Sequence, residues 1–461
     1  MDLQLPPLCI ELTYPEDSAA LFERIQHLPW PVLLDSANTS PDTGRYDIFS
    51  ADPFIQVEAW GQTTRITDNS GSRDSEEDPF LLIERLLADY QVPASSLPFA
   101  GGALGYFAYD LGRRLEHLPQ IASDAEHIPD MAVGIYDWAV VVDHQLQRCY
   151  LASFGLKHIN AQRLRQLAEL LQQPARYQAG AFVVTSPIRS NLDENQYAAA
   201  FSRIQHYITE GDCYQVNLAK RFEVDAKGDG WTAYKQLRQR NAAPFSAFFA
   251  HDAVTIMSSS PERLLQVRHG QVETKPIKGT RPRDKTNPEH DQQLAQELQS
   301  SPKDRAENLM IVDLLRNDIG KVCRPGSIRV PAPFALESFA SVHHLVSTIT
   351  GELNENQSAL SLLRACFPGG SITGAPKLRA MEIIEELEPN RRGVYCGGIG
   401  YIGFDGNMDM NITIRTLVYS KQRLRFWAGG GIVKDSDMAA EHQEVFDKAA
   451  VIFQLVKDLQ Q

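Results

Sequence analysis

Five stretches of the chain gather side chains that can do chemistry. In Lys275-Pro276-Ile277-Lys278-Gly279-Thr280, Pro276 stiffens the backbone and Gly279 lets it turn or lets a ligand come close. Lys278 ends a strand-like run. A lysine amine is a nucleophile only when neutral, and an apolar pocket or a neighbouring cation lowers its pKa. Locally, Lys278 reads either as such an amine or as a solvated loop lysine. Ser258-Ser259-Ser260-Pro261-Glu262-Arg263 follows a strand. Glu262 in a partly apolar site would be a general acid near neutral pH. Alternatively, Ser260 caps a helix that has Pro261 and Glu262 in its first turn.

Two carboxylate pairs stand at helical spacing. Asp304 and Glu307 follow the helix start Ser301-Pro302-Lys303, and Glu441 and Glu444 are followed one turn later by Lys448. Converging, the pairs would make a hard oxygen site suited to Mg²⁺, which takes only one or two protein carboxylates and keeps several waters. Apart, Asp304 would cap its own helix and Glu444 would pair with Lys448. Two glycine-rich loops lead into helices. Gly369 to Gly374 has P-loop spacing, but Ala375-Pro376 stand where Lys-Ser/Thr would be needed, which disfavours nucleotide and leaves either backbone N–H groups for a carboxylate or a tight turn. Gly429-Gly430-Gly431 permits backbone contact with a flat ligand, or simply a tight turn. Asn411 to Thr416 alternates as a half-buried strand does, with Asn411, Thr413 and Arg415 on one face. Arg415 there is either a carboxylate clamp or a surface ion pair.

The elements that must position these groups are short strands and interspersed helices. Strand runs include Pro31 to Leu34, Ile55 to Trp60, Trp138 to Val142, Cys213 to Leu218, Ala253 to Ser258 and Val272 to Ile277. Helical stretches include Phe80 to Tyr90, Ile159 to Gln172, Pro376 to Leu387 and Met438 to Leu459. Asp193-Glu194-Asn195-Gln196 is an N-cap with Gln three residues on, opening a helix over Tyr197 to Thr209. Thr67 to Asp78, the most polar stretch, reads as a surface loop. Strands adjacent in sequence with short connections predict antiparallel sheet.

With 461 residues, 43% hydrophobic, the chain can bury more than one structural unit. The net charge of −13 disfavours nucleic acid and anionic membrane as partners, and an anionic substrate would need a local cluster of cations. No apolar run approaches a membrane span, and the start lacks a basic stretch followed by an apolar one, so no secretory signal is expected. Six cysteines far apart, without a C-x-x-C pair, fit a reducing cytosol and a cytoplasmic protein.

In family order, Ser260-Pro261-Glu262-Arg263, Asp304-Arg305-Ala306-Glu307-Asn308, the Gly369 to Lys377 loop and the Glu441/Glu444 pair resemble the chorismate-utilising enzymes. The resemblance is dense from about Asp193 to Leu459. Leu33-Leu34-Asp35-Ser36 and Gly101-Gly102-Ala103-Leu104-Gly105-Tyr106 extend it to the N-terminal region of the ammonia-using members. It implies an α+β fold of two stacked antiparallel β-sheets flanked by helices. Residues 1–185 would carry a tryptophan pocket and the docking face for a glutaminase, and residues 186–461 the chorismate site. Anthranilate-forming members look like Pro-Ile-Ala-Gly-Thr where this chain has Pro276-Ile277-Lys278-Gly279-Thr280; a lysine there marks the members that aminate chorismate at C4.

The implied activity is therefore chorismate plus ammonia to 4-amino-4-deoxychorismate, on the route to 4-aminobenzoate and folate. Lys278 would be the nucleophile and Glu262 the acid. Mg²⁺ would be held by Glu307 and Glu444, with Asp304 and Glu441 acting through water. Thr373, Gly374, His344, Tyr401, Arg415, Gly429, Gly430, Gly431 and Lys448 would hold the substrate. Ammonia would come from a separate glutaminase subunit, since the chain has no nucleophilic-elbow cysteine motif. Ser36, Arg45, Pro244 and Phe245 would line the tryptophan pocket. The rival expectations are an anthranilate or isochorismate synthase, and a non-catalytic tryptophan-binding scaffold for the glutaminase.

Overall fold

The computed structural model describes residues 4–37, 44–90, 92–156, 158–338 and 342–460. Alternation of side chains along each strand builds the architecture. In strand Ala139–Asp143, Ala139 and Val141 enter one hydrophobic core while Val140 and Val142 enter the other. Period-two geometry sends neighbouring residues to opposite faces, so a strand buried on both faces is apolar throughout. Two large sheets result, of 13 and 12 strands, and the pairings along both are antiparallel. One core lies between them. The other lies between the first sheet and helices Ala161–Gln172, Glu194–Glu210, Gly230–Arg240 and Met438–Asp458. The fold is α+β, as expected.

Both sheets draw strands from either side of residue 186. In the first, Val32–Asp35 pairs with Phe245–His251; in the second, Gly102–Phe107 pairs with Gly398–Gly403. The 1–185 and 186–461 regions therefore do not have separate sheets.

Local signals explain the helix starts. Asp193 and Gln196 form a reciprocal capping box, Ser301 caps Pro302–Gly320, and Asp437 caps Met438–Asp458. Four local expectations are corrected. The polar Thr67 to Asp78 stretch is mostly an exposed hairpin, Thr63–Asp68 with Gly71–Ser75, whose turn Asp68 closes by accepting from Ser70 N at 2.8 Å. The Val272 to Ile277 run is two strands, Gln271–Thr274 and Ile277–Pro282, broken where Pro276 has no N–H for the ladder. No helix follows Ser260, because Arg263–Arg268 continues as strand. The Asn411 to Thr416 run is not one strand: pairing stops at Asn411 and resumes at Thr416, with Arg415 at φ 49° between them. Arg415 is thus turned out of the alternation that grouped it with Asn411 and Thr413. Among the described residues, no helix is long and apolar enough to cross a membrane, and the six cysteines are free.

Candidate active site

Strand Ile277–Pro282 carries Lys278 towards the loop that precedes helix Lys377–Leu387. Lys278 Nζ donates to the Ser371 carbonyl at 3.1 Å, and the Ser371 hydroxyl donates to Glu262 Oε1 at 3.1 Å. One serine thus holds both groups. Glu262 is buried at 6% exposure, and burial raises its carboxyl above the usual range, opposed by the Lys278 cation. Burial pushes the half-buried Lys278 below the ordinary lysine range; Glu262 opposes this and Lys448 adds to it. Each group is driven towards its neutral form by desolvation and towards an ion pair by the other.

Around this pair lie the remaining cations. Lys448 Nζ donates to Gly429 O at 2.9 Å and pairs with Glu444 at 2.6 Å. Burial lowers the Arg415 pKa, with Glu262 as its opposing charge. His344 is 3% exposed and its Nδ1 lies 2.8 Å from Thr280 Oγ1. Burial, with the Arg415 charge, lowers its pKa to about 4, which keeps the ring neutral. Gly429 to Gly431 are not a loop but the end of strand Arg423–Ile432, and they and Gly374 pair with strand Gln215–Gly228. Gly429, Gly430 and Gly431 pair with Ala219, Leu218 and Asn217, and Gly374 pairs with Val216. Only glycine fits at 374, where φ is +146° and a Cβ would stand 2.1 Å from Gln215 O. Thr373 is fully buried, its hydroxyl donating to Gly369 O at 3.0 Å.

The charge of Glu441, on the C-terminal helix, is felt at Glu307 on helix Pro302–Gly320; there burial raises the pKa, Lys278 and Lys303 oppose it, and Asp304 and Glu441 add to it. Burial raises Glu441 too, with Glu444 adding to it. A Cβ at Gly430 would stand 3.0 Å from Glu441 Oε2 and 3.5 Å from Glu444 Oε1, so this strand and the acids are in contact. Asp304 is paired with Arg281 at 3.0 Å, and Glu307 with Lys303 at 4.0 Å. Burial works against ionised Glu444, but Lys448 holds its pKa below the usual range. Among the described residues, no three His, Cys, Asp or Glu side chains stand close enough to enclose a metal ion. The donor set is nonetheless all carboxylate, the hard-oxygen chemistry of Mg²⁺, and that ion needs only one or two such ligands besides water and substrate.

Tyr401 is not part of this cluster. Its ring is tilted against that of Phe99 at 5.2 Å and lines a cavity of about 410 Å³ between the sheets, because its position on strand Gly398–Gly403 turns it there. Arg45, Pro244 and Phe245 line the same cavity. Ser36 is buried beside it, its hydroxyl donating to Asp47 at 2.7 Å, while its neighbour Asp35 is in the wall. Sequence reasoning missed Ser371, although it lies inside the glycine loop already singled out. It also missed Arg392 and Glu388, a buried pair at 2.7 Å that fastens this loop through Arg392 Nη1 to Ile372 O at 2.9 Å. No local pattern marks that arginine.

The sequence profile of the chorismate binding enzymes matches residues 41–454. The chain belongs to the chorismate binding enzyme family. It is 50% identical to aminodeoxychorismate synthase component 1 of Klebsiella aerogenes over 448 residues, covering 96% of this chain and 98% of that one. More distantly, it is 36% identical to anthranilate synthase component 1 of Cereibacter sphaeroides, covering 92% and 89% of the two chains. Among solved structures, anthranilate synthase component I from Streptococcus pneumoniae superposes with a TM-score of 0.79 at 32% identity, covering 88% of this chain and 91% of that one.

Proposed function

We propose that the chain converts chorismate and ammonia to 4-amino-4-deoxychorismate, and that it does so through a covalent bond to Lys278. The reading is carried by the pairing of a desolvated amine with a buried carboxyl through Ser371. Hydroxide is a poor leaving group, so direct displacement at C4 is slow. The neutral Lys278 amine attacks C2, the double bonds shift, and the 4-hydroxyl leaves as water with the proton of Glu262. Ammonia then attacks C4, the double bonds shift back, and the lysine leaves as a neutral amine. Glu262 recovers a proton from the new ammonium group. Covalent catalysis thus splits one poor displacement into two allylic ones.

Arg415, Lys448 and the Gly429 to Gly431 backbone hold the enolpyruvyl carboxylate, and the Thr373-Gly374 backbone faces the ring carboxylate. His344, neutral, is a hydrogen-bonding neighbour of the ring. Glu307 and Glu444 would hold Mg²⁺, with Asp304 and Glu441 reached through water. Bound there, the ion would neutralise the ring carboxylate and withdraw electrons from the diene. Arg415, Lys448 and such an ion would answer the problem of an acidic chain taking a dianion. A separate glutaminase is the proposed source of ammonia, and the Arg45, Pro244, Phe245 cavity is the proposed place for tryptophan. A cytoplasmic setting fits the free cysteines.

The test is incubation with chorismate, Mg²⁺ and ammonium chloride, with the product identified by mass. A product retaining the enolpyruvyl group and carrying nitrogen supports the reading. Anthranilate with pyruvate, or isochorismate formed without nitrogen, replaces it. Lys278→Ala should lose at least ~10³-fold in turnover; a near wild-type rate would show that no covalent step is needed.

A further inference from the structure

Strand Gln215–Gly228 is buried on both faces over most of its length. Its even positions Val216, Leu218, Phe222, Val224 and Ala226 join the core beneath the outer helices. Lys220 interrupts that apolar row and is 3% exposed. No step of the proposed chemistry uses it. A buried amine costs more than an apolar side chain of the same length unless its hydrogens are met. The Lys220 Nζ lies 3.1 Å from His442 Nε2. An ammonium can only donate, so Nε2 accepts and Nδ1 carries the ring hydrogen. The Phe446 ring is 5.3 Å from Nζ, and the Tyr197 and Phe222 rings are each 5.9 Å away. Aromatic faces attract the charge. Burial pulls the Lys220 pKa below the ordinary lysine range, against the charges of Asp193 and Glu194.

His442 lies between Glu441 and Glu444 in sequence, on helix Met438–Asp458, but on another side of that helix. At about 100° per residue, Val445, Ala449, Ile452 and Val456 form a stripe about 60° wide. All four are buried in the core beneath the helices. Glu441, Glu444 and Lys448 run along one edge of the stripe, and His442, Phe446 and Phe453 along the other. The first edge meets the Gly429–Gly430 strand end, where Lys448 Nζ donates to Gly429 O at 2.9 Å. The second meets strand Gln215–Gly228, where the Phe446 and Phe453 rings lie 6.0 and 4.9 Å from that of Phe222. Apolar contact is non-directional, so the stripe fixes where the helix lies more firmly than its rotation about its own axis. A hydrogen bond at one edge is directional and resists that rotation. With side chains reaching about 6 Å from the axis, a roll of about 10° moves a carboxylate at the far edge by roughly 1 Å. Mg²⁺ demands near-ideal geometry and does not absorb such a shift.

We propose that Lys220 is a positioning residue: through His442 it fixes the rotation of the C-terminal helix that brings Glu441, Glu444 and Lys448 to the site. The proposal rests on the reading of the two glutamates as acids at the metal. It accounts for a buried amine in an apolar row, which adds specificity of placement at a cost in stability. Lys220 itself touches neither substrate nor metal.

Lys220→Met keeps the length of the side chain and removes the donor. His442→Ala breaks the same contact from the helix side, and Lys220→Arg keeps a donor for His442. Mg²⁺ binding to the full chain is measured by titration calorimetry, with thermal unfolding alongside. The dissociation constant for Mg²⁺ should rise about tenfold in Lys220→Met and in His442→Ala, and stay within about threefold of wild type in Lys220→Arg. The unfolding temperature of Lys220→Met should not fall, because a costly buried charge leaves with the contact. Wild-type Mg²⁺ affinity in both Lys220→Met and His442→Ala would overturn the positioning role and leave the metal reading intact. So would a loss of affinity that follows a fall in unfolding temperature in all three variants, which marks packing alone. A wild-type chain that takes up no Mg²⁺ would overturn both readings.

Discussion

Ser371→Ala tests the central pair without touching either member. The hydroxyl donates to Glu262 Oε1 at 3.1 Å, while the bond from Lys278 goes to the Ser371 carbonyl and survives the substitution. The hydroxyl favours the ionised carboxylate, so its removal raises the Glu262 pKa further. A hydrogen bond to a charged acceptor contributes about 1.5–3 kcal/mol, and 3.1 Å is long for O–H···O, so the lower value applies; 1.4 kcal/mol is about one pH unit. The two groups titrate together, and the reactive form, neutral amine with protonated acid, has the same proton count as the ion pair. If the neutral form dominates, the alkaline limb of kcat against pH moves up by about one unit. If the ion pair dominates, the acid limb moves up instead and the plateau rises. In neither case does a limb move down. The assay is product formation by chromatography from pH 5 to 10, at saturating chorismate and at a fixed concentration of free ammonia. A downward shift of either limb, or an unmoved profile, refutes the pairing of Ser371 with Glu262 as the arrangement that sets the acid.

Glu307→Gln should raise the Mg²⁺ concentration for half-maximal rate by at least about tenfold; an unchanged metal titration removes Glu307 from the ligand set. Gly374→Ala forces a Cβ to 2.1 Å from Gln215 O at a φ of +146°, and should cost about 3 kcal/mol or more in denaturant unfolding. Arg392→Met leaves buried Glu388 without its ion pair and should lower stability by about 3–5 kcal/mol in the same measurement.

Much of the site was legible because its signals are local. Capping at Asp193, Ser301 and Asp437 follows from a side chain meeting N–H groups two or three residues on. The carboxylate pairs follow from helical spacing, and Gly374 from a backbone that admits no Cβ. Where reading failed, a distant element intervened. Arg415 belonged to a clean alternation, yet the chain leaves the ladder between Asn411 and Thr416 so that the arginine meets the burial and charge of Glu262. Tyr401 sits in a strand of correct type and faces the other cavity, because register with Gly102–Phe107 is a property of the pair and not of either strand.

By itself the sequence determined most element types, the helix starts and the kinds of group available: an amine, an acid, two carboxylate pairs and two glycine-rich segments. The tertiary structure alone decided which of them meet. Glu262 and Lys278 share a serine 93 residues beyond the lysine, and Glu262 also accepts from Ile277 N at 3.5 Å. The polar alternation of Gln215, Asn217 and Arg221 would suit a solvated strand face. It becomes a buried line because a second sheet covers it, and the desolvation that shifts Glu262, Lys278 and His344 is likewise set by what covers them and not by the order of residues.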